Sequence, residues 1–150
     1  MIFNVQTRNW STIEIIHRPD DFDEKLAPIA YLMQGYMQAF SDFLRMKHGR
    51  EIRLNCGSGN RSKSYNMKVY KDMGKPNEKA ATTSFHIWRF EERNGKQYAV
   101  CAGDYSSPDL DVESLFKDAE EFVTGEVYLH TSLKFVHIAW TQELDETFRA

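Results

Sequence analysis

Hydrophobic residues recur at steps of three and four between residues 22 and 48, which is the spacing of one face of a helix. The pattern predicts a long amphipathic helix at the centre of the core. Pro28 falls in its first turn, where a missing amide is harmless, and Gly49 follows its end as a C-cap. The apolar positions of this face are Leu26, Ile29, Met33, Tyr36, Met37, Phe40, Phe43 and Leu44.

Shorter elements are predicted after this helix. Alternating polar and apolar residues over 51–55 indicate a strand, and 56–60 then read as a turn-rich loop. Residues 62–72 favour a short helix, whereas Gly74, Pro76 and Asn77 make 73–82 a loop.

The second half of the chain alternates strands with one more helix. Strands at 85–90 and 97–102 are joined by a charged segment with Asn94-Gly95, a strong hairpin signal. Asp109 or Asp111 then caps a helix with apolar residues on one face up to Val123, and Gly125 ends it.

A last pair of strands at 126–129 and 134–140 precedes a polar tail at 142–150. These elements predict an α+β fold, in which a small, mostly antiparallel sheet carries the site and is backed by the long helix and a second, shorter helix. A length of 150 residues, 41% of them hydrophobic, fits a single domain over 1–150.

Composition excludes several classes of function. The net charge of −3 comes from 19 basic and 22 acidic residues mixed along the chain, so we expect no nucleic-acid partner. No apolar run approaches the roughly 18 residues of a membrane span, and the first residues lack a signal-peptide pattern, so no membrane association is expected. Cys56 and Cys101 are far apart, which indicates neither a thiolate zinc cluster nor a disulfide framework and favours a reduced, cytosolic origin.

Two histidines and one aspartate lie in apolar, strand-like stretches: His86, Asp104 and His137. A catalytic zinc ion takes three such ligands and leaves a fourth position to water, so the set is a candidate metal site. Strand alternation would place His86 on one face with Trp88 and Phe90, and His137 on one face with its neighbours at i±2. The spacing permits a common cleft without requiring it.

The words around these residues resemble the zinc D-Ala-D-Ala carboxypeptidases and related phage endolysins over roughly residues 50–140. That family carries Ser-Gly-Tyr-Arg-Ser, Ser-x-His-x-x-Gly-x-Ala-x-Asp, and a late Gly-x-x-Tyr followed by Phe-Val-His. This chain has, in the same order, Ser58-Gly59-Asn60-Arg61-Ser62 with Asn66, Ser84-Phe85-His86, Ala102-Gly103-Asp104, Gly125-Glu126-Val127-Tyr128 and Phe135-Val136-His137.

The resemblance implies a D,D-peptidase-like domain that binds Zn²⁺ through His86, Asp104 and His137 and acts on peptidoglycan stem peptides. It also implies that Arg61, beside Ser58 and Ser62, binds a substrate carboxylate, a task suited to its planar charged fork. Tyr128 and Trp140 could line the cleft, although aromatic residues in a terminal strand are more often core.

The chain departs from the family pattern in two ways. His86 and Asp104 are 18 residues apart, where the family has seven, because the hairpin around Asn94-Gly95 lies between them. The second departure is at the general base. The family carries a carboxylate three residues before the last histidine, and many relatives carry one two residues after it, where this chain has Lys134 and Ala139. His130, Glu126 or Glu121 are candidates for the missing base, and the spacing favours none of them.

The resemblance therefore supports two main functions. One is a phage-encoded, zinc-dependent hydrolase of peptidoglycan peptides, acting from the host cytoplasm or the virion. The other is a catalytically impaired D,D-peptidase scaffold that serves as a structural or binding component of a virion tail or baseplate, with assembly partners. A metal-free module that recognises carboxylates through Arg61 is a third alternative.

Overall fold

This computed structural model describes residues 2–74 and 83–144. Within these residues the chain forms a five-stranded antiparallel sheet and four α-helices. The predicted α+β class is confirmed. The helices are α1 Thr12–Ile16, α2 Ala27–His48, α3 Lys63–Asp72 and α4 Val112–Phe122. The strands are β1 Asn55–Ser58, β2 Arg89–Arg93, β3 Lys96–Ser106, β4 Glu126–His130 and β5 Phe135–Leu144.

The sheet is organised around β3, which pairs with β5 on one side and with both β1 and β2 on the other. β4 continues the sheet beyond β5. β2 pairs with the first half of β3, whereas β1 pairs with its last three residues across a bulge between Cys56 and Ser58. The end of β3 that carries Asp104 is thus enclosed between β1 and β5.

One face of the sheet is packed against the helices. Cys101 of β3 lies against Met33 of α2, and Trp140 of β5 stacks on Tyr36 of the same helix at 4.6 Å between ring centroids. Side chains alternate along each strand, so residues an odd number of positions from Cys101 on β3, or from Trp140 on β5, point to the other face of the sheet. The opposite face of β3 and β5 therefore holds Asp104 and His137.

The long helix forms much as its sequence predicts. Its apolar stripe is buried, Pro28 lies in its first turn, and Gly49 caps its end in the left-handed conformation with φ of 68°. Its α-helical part begins at Ala27 rather than near 22, because two short 3₁₀ turns, Pro19–Asp21 and Glu24–Leu26, precede it.

The predicted strand at 51–55 is wrong in its position. Hydrogen-bonded pairing begins at Asn55 and runs through the segment predicted as a loop, to Ser58. Ile52 is buried, and Arg53 is held outside the sheet by three hydrogen bonds to the Asp109 carboxylate, one from its amide and two from its guanidinium. The alternation of polar and apolar residues over 51–55 therefore reflects the burial of Ile52 and not pairing in a strand.

The strand predicted at 85–90 begins only at Arg89, so His86 lies in a turn and not on a strand face. The Ile87 amide donates to the Ser84 carbonyl across this turn, and the His86 amide donates to the Ser84 hydroxyl. The predicted hairpin turn is confirmed, with positive φ at Asn94 and Gly95.

Both central strands are longer than the patterns predict. β3 runs to Ser106 instead of 102, and β5 runs to Leu144, so 142–144 belong to the sheet rather than to a polar tail. The rest of that predicted tail, like most of the predicted 73–82 loop, lies outside the described residues. The helices predicted at 62–72 and 111–123 are confirmed as α3 and α4, and Asp111 caps the latter.

Among the residues that the structure describes, no helix is long and apolar enough to cross a bilayer.

Candidate metal centre

The site is built on one row of residues across the sheet. Ser58 of β1 pairs with Asp104 of β3, Asp104 pairs with His137 of β5, and His137 pairs with Tyr128 of β4. Directly paired residues of neighbouring strands project from the same face at Cβ separations of about 5 Å. The register of three strand pairs therefore brings a carboxylate and an imidazole together.

His86 reaches the same row from the turn before β2. Its backbone carbonyl accepts a hydrogen bond from the Arg61 amide at 2.6 Å, which ties this turn to the loop after β1. Its ring centroid lies 4.9 Å from that of His137. The site therefore draws its residues from β3, β5 and one turn.

Asp104 is the centre of the group. Its Oδ1 lies 3.1 Å from Nε2 of His86 and 2.8 Å from Nδ1 of His137. Burial alone would raise the pKa of Asp104, but the hydrogen bonds from His137 and His86 outweigh it and hold that pKa well below its ordinary value. Asp104 is therefore a carboxylate, which is the form that binds cations.

The orientation of the His86 ring follows from its second contact. Nδ1 lies 2.9 Å from the Gly59 carbonyl oxygen, which can only accept, so Nδ1 carries a proton. Nε2 faces Asp104 and is the nitrogen that would bind a metal ion in place of its hydrogen bond to the carboxylate. Histidines that bind metals commonly donate their other ring N–H to a backbone carbonyl in this way.

The three ligand atoms of His86, Asp104 and His137 lie within 4.8 Å of one another. A tetrahedral zinc ion, with Zn–N of about 2.0–2.1 Å, holds its ligand atoms roughly 3.3 Å apart, close to the two distances from Asp104. A cation bound here would replace the hydrogen bonds that join Asp104 to the two rings. His86, Asp104 and His137 could therefore hold a metal ion.

Arg61 lies beside the candidate ligands and is mostly buried. Its Nε donates to the Ser58 hydroxyl at 2.9 Å, Nη1 donates to Oδ1 of Asn66 at 3.0 Å, and Nη2 lies 3.5 Å from Oδ2 of Asp104. These contacts use three of its five N–H groups and fix the guanidinium plane at the cleft floor. The other two N–H groups have no hydrogen bond to another residue that the structure describes.

The predicted binding serines have different positions. Ser58 lines the cleft and holds Arg61. The Ser62 hydroxyl instead accepts from the Tyr65 amide as the N-cap of α3, and Ser62 is not among the residues that line the cleft. The structure therefore places Ser58 and Arg61 at the site and gives Ser62 a role in helix α3.

The loop after β1 is supported from below by α1, an element that the sequence patterns did not predict. The Asn60 amide donates to the Ile16 carbonyl at 3.2 Å, and the Asn60 side chain accepts from the Trp88 amide at 3.3 Å. Gly59 packs so closely on the last turn of α1 that a side chain would meet the carbonyls of Ile15 and Ile16. Gly59 and Asn60 thereby position His86 and Arg61.

A cleft of about 760 Å³ opens over His86, Asp104 and His137. Its polar floor contains Ser58, Arg61, His86, Asp104 and His137. Apolar residues from α3 and from the β4–β5 hairpin form its walls, among them Val69, Tyr70, Met73, Leu133 and Phe135. The cleft is large enough for a short peptide over the candidate ligands.

Tyr128 and Trp140, the two aromatic residues considered for the cleft, differ in burial. Trp140 is buried in the core, whereas Tyr128 is 58% exposed and lines the cleft with its ring stacked on His137 at 5.9 Å. The Gly-x-x-Tyr word was the available signal for this position.

The candidates for a general base are separated by the fold. Glu126 and His130 lie on β4 and line the cleft. Glu121 is on α4, in the helical layer, where it forms an ion pair with Lys47. Lys134 lies in the turn before β5 with φ of 55°, and Ala139 is buried in β5.

No family model, curated protein or solved structure matches this chain. The family resemblance drawn from the sequence therefore stays a prediction.

Proposed function

We propose that this protein is a zinc-dependent hydrolase of peptidoglycan stem peptides with a D,D-peptidase-like fold, encoded by a bacteriophage and acting from the host cytoplasm or the virion. One observation carries the proposal: His86, Asp104 and His137 converge on one face of the sheet, with Nδ1 of His86 held by the Gly59 carbonyl.

Each residue has a chemical task in this proposal. His86, Asp104 and His137 hold the zinc ion, which, when bound, lowers the pKa of a water molecule and polarises the substrate carbonyl. Arg61 binds a peptide carboxylate from a position that Ser58 and Asn66 fix. The apolar walls of the cleft exclude bulk water around the peptide, which strengthens these polar interactions.

A second candidate function is supported by the two positions that lack a carboxylate. Lys134 is in a turn and Ala139 is buried, so neither accepts a proton in the cleft. If no other group replaces them, the protein is a metal-binding scaffold that serves as a structural component of a virion tail or baseplate, with partners in that assembly.

The test of the hydrolase is cleavage of peptides that end in D-Ala-D-Ala, and of purified peptidoglycan, by the zinc-loaded protein. We expect new amino groups to form with zinc and not after removal of zinc by a chelator, with recovery on adding zinc back. Full zinc occupancy without cleavage of either substrate would favour the scaffold.

Arg61→Lys is expected to weaken binding of a D-Ala-D-Ala peptide about 10-fold or more, with zinc content unchanged. Lysine keeps the charge, but a single ammonium cannot contact Ser58, Asn66 and a ligand carboxylate in one plane. Calorimetric titration of the zinc-loaded protein with the peptide measures the effect.

Ser62→Ala is the matched control for Arg61→Lys. Loss of the cap on α3 should lower the free energy of unfolding by about 1 kcal/mol and leave peptide affinity unchanged. Equal peptide affinity in wild type and Arg61→Lys would remove Arg61 from the binding site.

A further inference from the structure

We propose that Glu126 is the catalytic proton acceptor of this site and replaces, from the neighbouring strand, the carboxylate absent at Ala139. The inference rests on the proposed hydrolase function and deepens it. In the reaction, the Glu126 carboxylate takes a proton from the attacking water while the water oxygen bonds to the peptide carbonyl carbon. The same proton then passes to the amide nitrogen as the C–N bond breaks, leaving a carboxylic acid and an amine.

The strand register places Glu126 at the required position. Glu126 of β4 is the direct partner of Ala139 of β5, and Tyr128 is the direct partner of His137. Directly paired side chains project from the same face with Cβ atoms about 5 Å apart. A carboxylate on Glu126 therefore lies over the place that a carboxylate on residue 139 would occupy.

The distance to the metal ligands is also suitable. Glu126 and His137 are diagonal neighbours across the β4–β5 pair, with Cβ atoms roughly 7–8 Å apart, and long side chains bridge that separation. Glu126 lines the cleft, as His137 does. A water molecule between the two residues would contact the carboxylate and the metal group together.

Tyr128 lies between Glu126 and the ligand row. It is two residues further along β4 on the same face as Glu126, and its ring is stacked on His137 at 5.9 Å between centroids. Glu126 and Tyr128 therefore lie side by side along the edge of the cleft next to His137.

The other candidates are placed less well. The His130 ring is stacked on Phe135 at 4.7 Å between centroids, and its Nδ1 lies 3.4 Å from the Ser132 hydroxyl, towards the β4–β5 turn. Glu121 is held by Lys47 in the helical layer. Glu126 alone among these three candidates combines a carboxylate with the face and register of the missing one.

The experiment compares zinc-loaded wild type with Glu126→Gln and with the exchange variant Glu126→Gln/Ala139→Asp. We expect Glu126→Gln to lower kcat on a D-Ala-D-Ala peptide by about 100-fold to 10,000-fold at unchanged zinc content. The exchange variant returns a carboxylate to the same place from β5, and its kcat should be at least 10-fold higher than that of Glu126→Gln. Glu92→Gln, on the exposed part of β2, is the control and should match wild type.

The outcomes separate the two proposals. A wild type that cleaves the peptide, with Glu126→Gln within threefold of its kcat, overturns the role of Glu126 and leaves the hydrolase standing. A wild type that holds one zinc ion and cleaves nothing overturns the proposed function and the role of Glu126 with it. Glu126→Asp, which keeps the charge on a shorter side chain, should retain more activity than Glu126→Gln and guards against misfolding of the amide variant.

Discussion

His86→Ala and His137→Ala are each expected to reduce bound zinc from about one equivalent per chain to nearly none. Each substitution leaves one imidazole and one carboxylate, which hold the ion too weakly to survive desalting. Elemental analysis of the reconstituted proteins after gel filtration measures the effect, and circular dichroism confirms that each variant is folded.

His48→Ala is the matched control for the ligand variants. His48 lies on the helical side of the molecule, where its Nε2 contacts Asp118 at 2.7 Å, so its loss should leave zinc content unchanged. Zinc content that falls equally in all three variants, or stays near one equivalent in His86→Ala, would contradict the ligand assignment.

Gly59→Ala is expected to lower the free energy of unfolding by about 3 kcal/mol or more. The added Cβ would lie 2.6 Å from the Ile16 carbonyl oxygen and closer still to that of Ile15, and backbone atoms cannot move aside as a flexible side chain can. The Gly59 carbonyl also accepts from His86, so the variant should bind zinc more weakly. Urea unfolding and zinc titration measure the two effects.

Gly35→Ala provides a control of opposite sign. Gly35 is exposed on α2, and a Cβ there meets no atom within 4 Å. Alanine should stabilise the helix by up to about 1 kcal/mol without altering zinc affinity. Gly59→Ala and Gly35→Ala with the same stability would contradict the close packing of the loop on α1.

Local patterns were sufficient for much of the fold. The apolar stripe around Met33 and Phe40 defines α2, and its ends are marked by Pro28 and Gly49. Asn94-Gly95 defines the β2–β3 turn. These signals depend on residues close in sequence, so their physical basis is fully present in the sequence.

The elements that escaped prediction depend on contacts between distant segments. β1 is shifted towards Ser58 because the end of β3 offers it a partner there. His86 is held in a turn by Arg61 and Ser84, although its apolar neighbours are typical of a strand. α1 is only five residues long, too short for a helical period, despite its Ser11–Glu14 capping box.

The candidate site was predicted in its composition but not in its geometry. His86 and Asp104 are 18 residues apart and His137 a further 33, and nothing in those spacings shows that all three meet. The order of the family-like segments along the chain indicated that these three residues belong together. The strand register that places Glu126 opposite Ala139 appears only in the folded chain, which explains why the sequence left the base open.

Anomalous diffraction at the zinc absorption edge, from crystals of the zinc-loaded protein, tests the central claim most directly. The account predicts a single strong peak at the floor of the cleft, about 2.0–2.2 Å from Nε2 of His86, a carboxylate oxygen of Asp104 and Nδ1 of His137, with a fourth position facing the cleft. A fully loaded crystal with no peak among these three residues, or with its peak elsewhere on the chain, would contradict it.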